Sequence, residues 1–396
     1  MLQLDKELGL TTGTIRTMCS DGNYLYVGTD VPEYRQYDWN TNQINTAVAL
    51  STTPTSMIML GTASAVIFYG SARVSYIAVN SNTKTDVTTN ALATFASQAG
   101  QQSASDLVNN IAISTTSTTG KVLKVNTTFT LTQLSPSAIS ASTASCVIFR
   151  SDTSTFILGT SAGKVFEMDS SGNVLKNISL INTPNITAPT IVVTGLSYYN
   201  DILAVATAHG LLYFYQYSTG TLLYTLPCNS RSSSAPATSC LSDSASGTFL
   251  LCSSGQSPNS TAALTEIYFS KNLPIVQPLY NDTIADFQAA KIETTLNKIW
   301  AFTPNAATSG AQARIFTISP VQITVESTRS QDPLGVDIAD RIIRIRDLGI
   351  GSATIEIDTN VSAGSQSLNC TNDAQYIELA IKSGSPDRWD VREFRA

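Results

Sequence analysis

A general base is the scarcest chemical group in this chain. Its one histidine, His209, lies in Ala206-Thr-Ala-His-Gly210. Nucleophilic catalysis of the Ser-His-Asp or Cys-His kind needs an imidazole to take the nucleophile's proton. No G-x-S-x-G elbow accompanies His209, and a His-Gly pair suits a tight hairpin turn that needs positive backbone angles. A turn is the expected role. Among carboxylates, Asp332, Asp337 and Asp340 come nearest to a metal cluster, but their spacing is not that of a calcium loop and they read as a solvated acidic linker. Asp169-Ser-Ser-Gly-Asn173 resembles half a calcium loop, yet it holds the residues any strand-connecting turn requires. No Gly-rich phosphate loop is present.

Cysteines stand at 19, 146, 228, 240, 252 and 370 with no C-x-x-C pair, which argues against a zinc site or a thioredoxin-like motif. Cys240 and Cys252 flank a Ser-Asp-Ser-Ala-Ser-Gly turn and would sit nearly opposite in a hairpin. Two reduced, buried thiols are expected there rather than a disulfide. Seven N-x-S/T sequons occur, Asn126, Asn177, Asn185 and Asn369 among them, in a chain with 24 Asn. With Ser and Thr at about a quarter of the residues, about six would arise by chance, so they carry no weight. No catalytic, cofactor-binding or metal-ligating residue is assigned from the sequence, and no cofactor is expected.

The elements that carry these residues come from a repeat. A turn of Asp, Gly, Asn or Ser leads into a short apolar strand ending in small residues; a hairpin strand rich in aromatics follows, then another turn and an outer strand. The clearest copy reads Ser20-Asp-Gly-Asn-Tyr-Leu-Tyr-Val-Gly-Thr29, then Tyr34-Arg-Gln-Tyr-Asp-Trp-Asn-Thr-Asn-Gln-Ile44. Others are Ser151-Asp-Thr-Ser-Thr-Phe-Ile-Leu-Gly-Thr160 and Tyr199-Asn-Asp-Ile-Leu-Ala-Val-Ala-Thr207 with their hairpin partners. One mid-strand residue per copy gives Val27, Phe68, Ala112, Leu158, Val205, Leu251 and Ala301, with spacings of 41, 44, 46, 47, 46 and 50 residues. That period fits a four-stranded propeller blade. The copy around Asn109–Ser114 is the faintest, and the sixth carries a polar insertion from Ser253 to Thr261.

A lone four-stranded sheet covers neither face, whereas sheets stacked around an axis cover both, so inner strands become continuously apolar. Tyr24-Leu-Tyr-Val, Val66-Ile-Phe-Tyr and Ile202-Leu-Ala-Val meet that requirement. Gly28, Gly159 and Ala206 suit places where neighbouring sheets approach closely. These motifs resemble the YVTN and quinoprotein-like β-propeller repeat families, whose repeats pair an SDGxYLYV strand with an xxxYDxxTGxxL hairpin, over roughly residues 10 to 325. The resemblance implies a fold and no activity; the residues that dock a quinone in true quinoprotein dehydrogenases have no counterparts here. Ring closure is open between Leu2-Gln-Leu-Asp-Lys and Val321-Gln-Ile-Thr-Val325 as the last outer strand.

Composition shifts after about residue 325. Residues 321–396 hold 20 of the chain's 52 charged residues, which marks a different element. Ile342–Leu348 and Ala353–Asp358 read as a hairpin about Gly349-Ile-Gly351, with Ile343 opposite Ile357 and Arg344 opposite Glu356. Gln375–Lys382 and Arg388–Phe394 read as two further strands. The expected architecture is all-β: a seven-bladed β-propeller over 1–325, followed by a small antiparallel β domain over 326–396.

Charge limits the partners. The net charge is −6 and charged residues are 13% of the chain, without the basic patch that nucleic-acid binding requires. The longest apolar runs, such as Ser56–Leu60 and Ala65–Tyr69, are far too short to span a membrane. Met1-Leu-Gln-Leu-Asp-Lys-Glu has no cationic segment before an apolar one, so no signal peptide is expected. The reading these features favour is a non-enzymatic structural and interaction protein with protein partners in a larger assembly. The C-terminal domain would anchor it, as in an accessory or decoration protein of a phage-like virion. The alternatives are a secreted or cell-surface module binding protein or glycan, and a propeller glycosidase, whose paired acids would have to come from acid-poor blade loops.

Overall fold

The computed structural model describes residues 2–318 except 9–13, 63, 70–72, 80–82, 88–100, 129, 181–191, 209, 228–239, 244–247, 253–263, 271–272, 281–288, 294–297 and 303–312; beyond 318 it describes the backbone of five strands. Strand β1 (Leu2–Leu8) is followed by blade 1, made of β2 (Ile15–Ser20), β3 (Tyr24–Thr29), β4 (Glu33–Asp38) and β5 (Gln43–Ile44), with the short β6 (Val48–Ala49) also on β4. Blade 2 is β7 (Pro54–Leu60), β8 (Ser64–Tyr69), β9 (Arg73–Ala78) and β10 (Lys84–Val87). Blade 3 is β11 (Ser103–Asp106), β12 (Ile111–Thr115), β13 (Val122–Asn126) and β14 (Leu131–Leu134). Blade 4 is β15 (Ala144–Arg150), β16 (Thr155–Thr160), β17 (Lys164–Met168) and β18 (Val174–Ser179). Blade 5 is β19 (Val193–Tyr199), β20 (Ile202–Thr207), β21 (Leu211–Gln216) and β22 (Thr221–Pro227). Blade 6 is β23 (Cys240–Asp243), β24 (Thr248–Cys252), β25 (Leu264–Ser270) and β26 (Leu273–Tyr280). Blade 7 joins β27 (Ala289–Glu293), β28 (Lys298–Phe302) and β29 (Ala313–Ile318) to β1.

The seven residues that set the repeat period all fall on the second strand of their blades. The first strands of successive blades lie against one another and form the inner wall of the ring. Side-chain alternation then does the packing. On β3, Leu25 and Val27 join a cluster with Trp300, Phe302 and Ile315 of blade 7, while Tyr26 joins Met57, Ile67 and Tyr69 of blade 2. On β20, Leu203 and Val205 face blade 4 through Val165 and Ile157, while Ala204 and Ala206 face Phe249 and Leu251 of blade 6. Each sheet therefore has two buried faces, which is why the second strands are apolar throughout rather than alternating.

Two devices recur at fixed places in the blades. Gly28 and Gly159 lie beneath the first strand of the next blade: a Cβ on Gly28 would meet Met57 Sδ at 2.8 Å, and one on Gly159 would meet Val193 Cγ1 at 2.4 Å. The threonine that follows closes the next turn. Thr29 Oγ1 donates to Val31 O, Thr207 Oγ1 donates to Leu211 O, and Thr160 Oγ1 accepts from Lys164 N. In blade 3, Thr116 Oγ1 does the same, donating to Lys121 O. Ser and Thr rather than Lys and Glu satisfy these turns, which accounts for much of the low charge.

The N-terminal strand closes the ring, settling the choice the sequence left open. β1 pairs with β29 from Leu2↔Ile318 to Leu8↔Ala313, and Val321–Val325 lies outside the described residues. Ion pairs Lys298–Asp5 and Arg314–Glu7 fasten β1 to its own blade, and Lys6 donates from there to Asn42 O of blade 1. Lysines bridge other blades in the same way. Lys124 of blade 3 donates to Ser170 O of blade 4 at 2.8 Å, and Lys176 of blade 4 donates to Ser218 O of blade 5 at 2.9 Å. Each ends on a carbonyl of the next blade's third turn.

Beyond the ring, the expected hairpin about Gly349-Ile-Gly351 does not form. β30 (Ile342–Ile345) pairs instead with β33 (Ala374–Ile381), which also pairs with β34 (Trp389–Arg395); β31 (Thr354–Ile357) pairs with β32 (Gln366–Asn369). The register sets Ile343 opposite Leu379, Arg344 opposite Glu378 and Ile345 opposite Ile377. The distant strand thus repeats the charge and apolar match that Ala353–Asp358 offers locally, and it carries β30 on one edge and β34 on the other. The two expected strands at 375–382 and 388–394 are present as β33 and β34.

Candidate functional site

The inner strands run between two faces of the ring. At their ends lie the turns between first and second strands and between third and fourth strands, and this face carries the aspartates of the repeat. Asp21 Oδ1 accepts from Asn23 N and Tyr24 N, Asp38 Oδ1 from Asn40 N, and Asp106 Oδ1 from Val108 N and Asn109 N. Asp201 Oδ1 accepts from Ser218 N at 2.6 Å. Asp169 takes Ser171 N and Asn173 N on Oδ1 and the Asn173 amide on Oδ2, so the half calcium loop is a self-capped turn. Burial acts to raise the Asp169 pKa, but the Asn173 donors and turn amides outweigh it and hold the carboxyl below its usual range. Among the described residues no group of three His, Cys, Asp or Glu is placed to hold a metal.

His209 and the Asp332, Asp337 and Asp340 set lie outside the described residues. Next to His209, Gly210 has φ +75° and donates its amide to Thr207 O. Cys252 is a free, buried thiol. In the ladder Cys240 stands opposite Leu251 rather than Cys252. Burial pushes the Cys252 and Cys146 thiols up to about 12, the wrong direction for a nucleophile.

The densest ionic cluster among the described residues sits between blades 4 and 5. Glu167 Oε1 accepts from Arg150 Nη1 at 3.2 Å and from Thr155 Oγ1 at 2.5 Å, and Oε2 accepts from Tyr217 OH at 2.9 Å. Arg150 also forks onto Asp152 at 2.8 and 2.9 Å and lies over the rings of Tyr198 and Tyr217. Burial and the Glu167 carboxylate push the Tyr217 phenol upward. Every polar end in the cluster is met by another, so it rivets the two sheets together and offers no free group to a substrate.

Two surface features are less self-contained. The turn after β11 is Asp106-Leu-Val-Asn-Asn110, with Val108 86% and Leu107 49% exposed. Besides its two amides, Asp106 receives the Asn109 side chain at 2.7 Å; Asn110 sits at φ +56°, its Oδ1 against Gly61. The turn is therefore stiff although its apolar tip is in water. A groove of about 400 Å³ runs along the rim of blade 4, lined by Ser140, Ser142, Lys164, Asn177 and Ser179 among others.

At the opposite face, where the inner strands begin, four blades share one irregularity. Their first strands carry an extra residue in the ladder: Arg16 between Ile15 and Thr17, Thr55 between Pro54 and Ser56, Ser145 between Ala144 and Cys146, and Thr194 between Val193 and Gly195. Gln101 occupies the matching position in blade 3, since Gln102 O accepts from Thr115 N where the ladder begins. Such bulges re-aim side chains. Gln101 shows the direction: its main-chain O accepts from Val147 N of blade 4, and its carboxamide bonds Leu196 N and O of blade 5 at 2.6 and 2.7 Å. The sequence reading assigned none of these residues. Their signal was a polar residue recurring at 39, 46, 44 and 49 residue steps, one strand before the motif.

No family model matches this chain, and no curated protein does. Solved structures match by shape. One is a chain of the mitotic checkpoint complex, with a TM-score of 0.61 and 13% identity, covering 80% of this chain and 92% of that one. Another is streptogramin B lyase, at 0.58 and 10%, covering 81% and 98%. At such identities the likeness is one of fold: the chain carries a seven-bladed β-propeller, in keeping with the YVTN and quinoprotein-like resemblance of its repeats.

Proposed function

We propose that this protein is a non-enzymatic interaction platform, held in a larger assembly through residues 326–396 and presenting the ring to protein partners. One observation carries the reading: the Asp106–Asn110 turn holds Leu107 and Val108 in water on a rigid frame. Exposed apolar side chains on a preorganised loop are suited to anchoring a partner, because little conformational freedom is lost on binding. The aspartates of the same face are engaged in capping their own turns, which favours binding over acid–base chemistry. The charged C-terminal segment, distinct in composition from the ring, favours an attachment role in a larger assembly such as a virion.

The test is photo-crosslinking. A benzoylphenylalanine placed at Val108 in the producing host should capture one defined partner, and the same probe at Leu175 on an outer strand should capture none. The chain should also co-migrate with particles on a density gradient, and removal of residues 326–396 should release it. A chain that stays at the top of the gradient and gives no adduct at 108 would overturn the reading.

A further inference from the structure

We propose that the mouth of the ring on the opposite face binds a hydroxylated small molecule carrying a single carboxylate, with Arg16 receiving the carboxylate. The site stands apart from the partner surface. It lies where the inner strands begin, whereas the Asp106–Asn110 turn lies where β11 ends, so either can fail without the other.

The bulge places Arg16, Thr55, Gln101, Ser145 and Thr194 at one level on the innermost strands of five successive blades. All five positions are polar, and Arg16 is the one charge. Its side chain is exposed, and it makes no ion pair among the described residues. Its charge acts on Asp30. Burial acts to raise that carboxyl, but the Thr14 amide at 2.6 Å and the charge of Arg16 outweigh it, so Asp30 stays ionised.

Donor and acceptor accounting decides the ligand class. Thr55 Oγ1 spends its proton on Phe68 O and Ser145 Oγ spends its proton on Val193 O. Both oxygens keep lone pairs, and what they can take is a ligand hydroxyl donor. Arg16 offers only donors in a planar fork, the match for a carboxylate. Thr194 Oγ1 is buried with no partner, and one residue beyond Gln101 the carboxamide of Gln102, 3% exposed, has neither its O nor its N satisfied. Buried polar groups ordinarily have partners, so this end of the inner wall holds unmet hydrogen-bonding capacity. A neutral polyol would leave Arg16 unused, and a bare anion would leave the oxygens unused.

Glucuronate and glucose form a matched probe pair, differing by a carboxylate in place of a hydroxymethyl group; acetate supplies the charge without the hydroxyls. Titration calorimetry and saturation-transfer NMR on the full chain should show glucuronate binding at least about tenfold tighter than either glucose or acetate. Arg16→Gln should erase the preference over glucose while leaving weak glucose binding unchanged. Thr194→Val should weaken glucuronate about threefold or more. Far-UV circular dichroism and an unchanged melting transition would show that both variants fold. No glucuronate binding at about 20 mM, acetate binding equal to glucuronate, or indifference to Arg16→Gln would each overturn the proposal.

Discussion

Adding one carbon to Gly159 tests the stacking of the ring. In Gly159→Ala the new Cβ would lie 2.4 Å from Val193 Cγ1 and 2.7 Å from Cys146 Sγ, well inside van der Waals contact. Val193 belongs to the next blade's inner strand and is fully buried, so relief requires one sheet to move against another. Overpacking of that kind costs about 1–3 kcal/mol, and the fixed backbone on both sides places this case near the upper end. Guanidinium unfolding should show a lower midpoint with an unchanged slope. The diagnostic is the pairing with Val193→Ala, which by itself removes buried methyl groups and costs about 1–3 kcal/mol. Truncating Val193 makes room for the methyl added at position 159, so the double variant should be more stable than additivity predicts by at least about 1 kcal/mol. Blade 5 supplies the precedent, since Ala206 fills the corresponding position there. Additive costs, or a Gly159→Ala variant within about 0.5 kcal/mol of the parent, would refute the idea that this glycine exists to let the next blade in.

Other consequences of the structure are open to measurement. Lys176→Met keeps the aliphatic stem but removes the charge that donates to Ser218 O and lies over the Tyr217 ring; it should cost about 1 kcal/mol in chemical denaturation, and less as salt is raised. Cys146 and Cys252 should resist alkylation at pH 8 in the native chain and react at once in guanidinium, followed by mass spectrometry, because burial holds both thiols near 12. Asp30, Asp86 and Asp169 have carboxyls lowered in the fold, so their stabilisation is present above the unfolded value near 4 and is lost as pH falls through the folded values. Asp169→Asn should therefore flatten the decline in melting temperature on the acid side of pH 4.

The ring was readable because its second strands must be apolar on both faces, and residues such as Val27, Leu158 and Val205 mark that requirement in one dimension. Gly28 and Gly159 were readable for the same reason, being small where two sheets meet. Partner choice in the C-terminal segment was not. Isoleucines at 343 and 345 and an arginine at 344 fit Ala353–Asp358 and Gln375–Lys382 equally well by pattern, and only the strand that needs two neighbours decides between them. The bulge ring was harder to read, because its mark in the sequence is one polar residue per blade at uneven steps, and the extra residue in the ladder becomes visible only when five blades are aligned by their hydrogen bonds.

A repeat makes blades alike, so function must lie where they differ. At one position of the third strand, opposite Tyr26, Ile113, Ile157, Ala204 and Leu250, the chain places Gln36, Lys124, Glu167, Phe214 and Glu266 in turn. Lys124 and Glu167 each spend their charge on an inter-blade bond. That position is free to vary because it works inside the ring, where any satisfied pair serves. At the bulge position the variation is of another kind: hydroxyl and carboxamide recur, and a cation stands once. Nothing in blade packing asks for Arg16, since Thr55, Ser145 and Thr194 hold the same bulge in blades 2, 4 and 5. An exposed arginine on an inner strand of a chain with so little charge is better accounted for by what enters the ring than by what holds it together.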